Sequence, residues 1–280
     1  MLDWCLLLLM LAPVHASDAS KPHAHRGLLP KYDRVPPSKF GLSLKGTDVA
    51  SLRAGKPAVQ MVPISKGFTR AVSFQDIEAP EDVVWSAIMD LPNYPKMVEG
   101  VAACEVYKKS KSLRGLQTVC AKYTISVASY KMSYFMLHEF EPSKHAMTFH
   151  LDYDRCSDLS DTVGYWYVED LRDGWCRVYY STDSKMPAWI PSFARNALTN
   201  LAAKRSTSWV HTRCAELTGR GAGGGAARRR GLGAALTSKR SLAFLALLAW
   251  RLHLTDRLER LGFRLPSLPC LLPRRRVHTA

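Results

Sequence analysis

Between Val101 and Lys185 the chain runs through six strand-length segments in immediate succession, at 101–109, 117–127, 130–140, 147–154, 163–170 and 176–185. Only short turns separate them, among them Ser110-Lys111-Ser112, Glu141-Pro142-Ser143 and Arg172-Asp173-Gly174. Connections that short leave no room for a crossover helix, so each strand is expected to pair antiparallel with its neighbour. In the fourth segment Met147, Phe149, Leu151 and Tyr153 alternate with Thr148, His150, Asp152 and Asp154. One face is apolar and one polar, as in a sheet covered on one side.

Helical patterns flank the procession. A strand at Thr69 to Ile77 leads into Ala79-Pro80-Glu81-Asp82, with proline and acidic residues where a helix start favours them. Val83, Val84, Ala87, Ile88 and Leu91 then recur at helical spacing, and Pro92 and Pro95 end the run. After Pro187 and Pro191, apolar residues from Phe193 to Leu217 predict a helix over 192–217, about 39 Å long at 1.5 Å per residue. Such a helix can lie across the uncovered face of a single antiparallel sheet.

The 280 residues are 47% hydrophobic and 22% charged, which argues against wholesale disorder, collagen-like repetition and a polytopic membrane protein. The net charge of +15 divides unevenly, with +5 on residues 1–67, −1 on 68–217 and +11 on 218–280. The folding segment is thus nearly neutral and lacks the clustered cations that a nucleic-acid face needs. No nucleic-acid partner is expected.

The flanks have their own signatures. Leu6 to Leu11 is an apolar run followed by Val14-His15-Ala16, so residues 1–16 read as a signal peptide leading into the secretory pathway, with an uncleaved anchor as the rival. Residues 17–67, with six prolines and no long apolar period, read as an extended leader or linker that also suits onward routing to an organelle. Residues 218–280 begin with a Gly/Ala-rich joint. Leu252, Leu254, Leu258, Leu261 and Phe263 then interleave with Arg251, Arg257, Arg260 and Arg264, as suits a membrane surface. The rival reading of this tail is a disordered or spurious terminus.

The string FQDIEAPEDVVWSAIMDLPNYPKMVEGV at 74–101, the strands after it and KRSTSWV at 204–210 resemble the START-like (SRPBCC) superfamily, in its polyketide cyclase/dehydrase and coenzyme Q-binding branch. The resemblance covers about residues 68–217. It implies an α+β helix-grip fold, a curved antiparallel β-sheet wrapped around a long C-terminal helix with an apolar cavity between.

Residue types point the same way about chemistry. No HExxH, paired CxxC, GxSxG or glycine-rich phosphate loop is present, so no metal and no cofactor beyond a bound lipid or quinone is expected. Tyr123, Tyr134, Phe149, Tyr153, Tyr165, Tyr167, Phe193 and Trp209 fall on candidate inner faces, with Leu201 beside them. Such residues line apolar ligand sites or simply fill a core. His138 shares a face with Met132, Tyr134, Met136 and Phe140, and Glu105 lies among apolar neighbours. Either is a polar anchor or acid/base group if it faces the cavity, and a rim or surface residue otherwise. Asp152 and Asp154 belong to the polar face. Cys104 and Cys120 lie equidistant from residue 112, so they face each other if the hairpin turns there, and then suit a disulfide; free thiols are the alternative.

The leading expectation is a non-enzymatic module that encloses a hydrophobic small molecule, a lipid or isoprenoid quinone, with the basic tail at a membrane surface. A cyclase/dehydrase-type enzyme and a protein-interaction scaffold with a filled cavity are the alternatives.

Overall fold

A computed structural model describes residues 17–65, 68–127, 130–187 and 207–220. Eight strands form one curved antiparallel sheet in the order β1-β2-β8-β7-β6-β5-β4-β3. They are β1 Ala58–Ser65, β2 Phe68–Ile77, β3 Val101–Lys111, β4 Gln117–Val127, β5 Tyr130–Glu141, β6 Ala146–Leu151, β7 Asp161–Arg172 and β8 Trp175–Lys185. From β3 to β8 each strand pairs with the next, as the short turns require, while β2 closes onto β8.

The helices sit where the sequence punctuates the chain. Helix α1 spans Val49–Arg53, α2 Glu81–Met89, α3 Tyr94–Met97 and α4 Ser208–Leu217. In α2 Pro80 precedes the first turn, Glu81 and Asp82 occupy the positive end of the dipole, and the Trp85 indole donates to Glu81 Oε1 at 3.0 Å. Its buried side, Val84, Trp85, Ala87 and Ile88, enters the main core with Ile77, Val168, Val178 and, from α4, Val210 and Cys214. Of the helix expected over 192–217, residues 192–206 lie outside the described residues, and 208–217 are helical.

The segment expected to be an extended leader differs. Residues 58–65 form the first strand of the sheet, and the chain before them lies over the face opposite α2 and α4. Tyr32 stacks on Tyr165 at 5.8 Å and its hydroxyl meets Ser181 Oγ at 2.6 Å, while Phe40 meets Tyr165 edge-on. Arg34 bridges Glu139 and Glu141, and the Leu28 and Leu29 amides donate to the fully buried Asp161 at 2.6 and 2.8 Å. Leu42 and Leu52 close over Val72, Phe74 and Tyr179. The contacts are long-range and come from isolated residues, so no local period announces them.

Both faces of the sheet are therefore covered, which changes how its strands read. In β7, Val163, Tyr165 and Tyr167 face the leader, while Trp166 and Val168 face the helices. Between β2 and β8 the directly paired Asp76 and Arg177 form a bidentate buried ion pair at 2.6 and 2.9 Å. The expected strand 147–154 ends at Leu151, because Asp152 turns the chain by accepting the Asp154 amide at 3.2 Å. Among the described residues no helix is long and apolar enough to cross a membrane. Residues 1–16 and 221–280, with the expected signal peptide and basic tail, lie outside the described residues.

Candidate functional site

Between the helix-facing side of β4–β8 and the helices lies a cavity of about 460 Å³. Its walls are apolar and aromatic. Ile125, Met132, Met136, Met147, Phe149 and Trp166 come from the strands, and Tyr94, Met97 and Trp209 from the helices. Trp166 packs on Tyr180 with ring centres 4.4 Å apart, and Trp209 meets Tyr94 edge-on at 5.0 Å. The volume lies within the range of small-molecule sites, and such a lining suits an apolar ligand held by a few oriented polar contacts.

Those contacts come from two adjacent strands. Tyr123 on β4 sits directly opposite Tyr134 on β5, and their rings stack at 5.4 Å with an interplanar angle of 3°. His138 lies four residues along β5, on the same face. Its Nδ1 is 3.0 Å from the Val119 carbonyl and its Nε2 is 3.1 Å from the Tyr123 hydroxyl. A carbonyl can only accept, so Nδ1 carries the proton. Burial pushes the His138 pKa down to about 4, so the ring is neutral near pH 7, Nε2 is bare, and Tyr123 donates to it. Burial likewise raises Tyr123 and Tyr134 above the usual phenol value. At neutral pH this cluster holds no charge.

The neighbouring packing is tight. The Phe149 ring lies over Gly164, its direct partner on β7, so closely that a Cβ at Gly164 would fall 2.0 Å from the ring. A glycine is required because the Phe149 ring occupies the side-chain space of its strand neighbour.

Of the expected lining residues, Tyr123, Tyr134, Phe149 and Trp209 meet at the cavity, as does His138. Tyr165 and Tyr167 do not. They point to the leader-covered face, and Trp166 between them lines the cavity instead. Tyr153 follows the end of β6, where its hydroxyl donates to Asp161 Oδ1 at 2.8 Å and it lies outside the lining. Phe193 and Leu201 lie outside the described residues. Glu105 is exposed, because Cys104 takes the inward position on β3.

Cys104 and Cys120 are free thiols. The hairpin turns at 112–116 rather than around 112, and a bulge between Val106 and Lys108 shifts the register, so Cys104 faces Tyr123 and Cys120 faces Lys108. Burial raises the Cys104 pKa to about 12. Tyr94, Trp166 and Tyr180 were not expected in the lining. The signal for Trp166 was its alternation with Tyr165, which becomes readable only once it is known which face the leader covers. Among the described residues no group of three or more His, Cys, Asp or Glu is placed to hold a metal ion.

Residues 77–206 match the family model described as polyketide cyclase/dehydrase and lipid transport. No curated protein matches the chain. Similar solved structures include an aromatase/cyclase from Streptomyces sp. R1128, at 14% identity over 56% of this chain and 97% of that one, TM-score 0.45. Human STARD10 is similar at 9% identity over 60% and 72%, TM-score 0.44. A STAR-related lipid transfer protein from Xanthomonas axonopodis is similar at 13% identity over 55% and 92%, TM-score 0.42.

Proposed function

We propose that the protein is a carrier that encloses a hydrophobic small molecule of the lipid or isoprenoid-quinone kind, a reading supported by the match of residues 77–206 to the polyketide cyclase/dehydrase and lipid transport family model. The observation that carries the reading is the cavity of about 460 Å³, walled by methionines and aromatic rings. Burying a ligand's hydrocarbon there supplies affinity at about 25 cal/mol per Å² removed from water. The methionines Met97, Met132 and Met186 give part of the lining an adaptable surface that suits variable hydrocarbon shapes.

Cyclase/dehydrase-type catalysis is the second reading, favoured by one observation: His138 lines the cavity. Its properties favour an anchor over a base. Both ring nitrogens are engaged, and a pKa near 4 makes it a weak proton acceptor at neutral pH. A scaffold reading needs a filled core and accounts less well for the open volume. The basic tail is proposed to hold the carrier at a membrane surface after secretory entry through residues 1–16, a reading that rests on composition alone.

The test is binding of the uncharged apolar fluorophore N-phenyl-1-naphthylamine to the full chain. The carrier reading predicts saturable enhancement that Phe149→Asp abolishes in a folded protein. Equal enhancement by both proteins, or none by the wild type, argues against it.

A further inference from the structure

Resting on the carrier reading, we infer that the ligand is an uncharged molecule bearing a hydroxyl group, which is seated between Tyr134 and Tyr123.

Among the described lining residues there is no Lys or Arg, and besides the tyrosines only Glu99 and His138 can ionise. His138 is kept neutral by burial, which outweighs the opposing effect of its bond to the Val119 carbonyl. Glu99 lies in the exposed turn before β3 and has a partner of its own. An anionic head group drawn to the polar cluster would lose its hydration and meet no countercharge among the described residues, which costs far more than a few neutral hydrogen bonds return. A cationic group would find no carboxylate at the cluster among the described residues.

The hydrogen-bond inventory of the cluster points the same way. The Tyr123 proton is committed to His138 Nε2, which leaves the Tyr123 oxygen able to accept. The Cys104 thiol beside it is a weak donor. Among the described residues the Tyr134 hydroxyl has no hydrogen-bond partner, so its proton is available to a ligand there. Of the other tyrosine hydroxyls of the lining, Tyr94 donates to the Ile88 carbonyl at 2.6 Å. The site thus presents one donor and one acceptor on directly opposed residues of neighbouring strands. A ligand hydroxyl satisfies both at once, accepting from Tyr134 and donating to Tyr123. A ketone uses only the donor, and a carboxylate has no proton to give the acceptor.

Three probes of nearly equal shape separate these demands: naphthalene, 2-naphthol and 2-naphthoate, titrated calorimetrically into the full chain at pH 7. Expected is 2-naphthol binding about fivefold or more tighter than naphthalene, as one net hydrogen bond confers, with 2-naphthoate at least about tenfold weaker than 2-naphthol. Tyr134→Phe should erase the 2-naphthol advantage and leave naphthalene within about twofold, a pattern that a merely destabilised variant would not give. Naphthalene binding without a gain from the hydroxyl, or 2-naphthoate binding tightest, overturns this inference and leaves the carrier reading intact. Failure of all three probes to bind overturns both.

Discussion

The Tyr123 hydroxyl lies 3.1 Å from His138 Nε2, and the opposite ring nitrogen of His138 lies 3.0 Å from the Val119 carbonyl. The imidazole is thereby fixed in one tautomer, and burial keeps it neutral by lowering its pKa from 6.5 to about 4. Since the native pKa is the lower one, the unfolded chain binds more protons between about pH 6.5 and 4. Stability attributable to this group therefore falls as pH drops through that window, by about 3 kcal/mol at most, and the penalty is constant below it. His138→Gln keeps a donor and an acceptor but cannot titrate. Urea midpoints at pH 7 and 4.5 should converge in the variant relative to wild type; an unchanged pH dependence contradicts the buried neutral assignment.

Gly164 and Phe149 form a second dependent pair, since the ring fills the space where a Cβ would stand. Gly164→Ala should cost about 1–3 kcal/mol through forced displacement of the ring, and adding Phe149→Leu should recover part of that loss. A double-mutant cycle in urea measures the coupling. Additive effects would mean that the two side chains do not compete for one volume.

Asp161 ties the leader to the sheet. Its carboxylate accepts from the amides of Leu28, Leu29 and Thr162 and from the Tyr153 hydroxyl. Asp161→Ala strands these donors, and each one left buried and unpaired costs about 1–3 kcal/mol. Trypsin should then cut after Lys31 or Arg34 about tenfold faster than in wild type, given the energy lost at this anchor. Equal cleavage rates in the two proteins would show that the leader is held by other contacts.

What the sequence revealed follows from which faces were covered and by what. The order of strands from β3 to β8 was legible because turns such as Arg172-Asp173-Gly174 are too short for any other pairing. Tyr123, Tyr134 and His138 were readable because β4 and β5 carry lysines and serines opposite them, at Lys122, Lys131 and Ser133. In β7 the neighbours Tyr165, Trp166 and Tyr167 are all large and apolar, so alternation could not tell which side holds the cavity. That ambiguity arises from the leader, whose anchors Tyr32, Phe40 and Leu52 are single residues in a proline-rich stretch. The Cys104–Cys120 pairing failed for a different reason, since a later turn and a bulge move the register without leaving any mark in hydrophobic pattern.

The central claim is that the cavity holds an apolar guest. Its most direct test is to purify the full chain without detergent and compare native and denaturing mass spectra, alongside Phe149→Asp. The account predicts a stoichiometric small molecule on the wild type that is released on denaturation and missing from the folded variant. A folded wild-type protein that carries no small molecule, and takes up none from an added lipid or quinone extract, would contradict it.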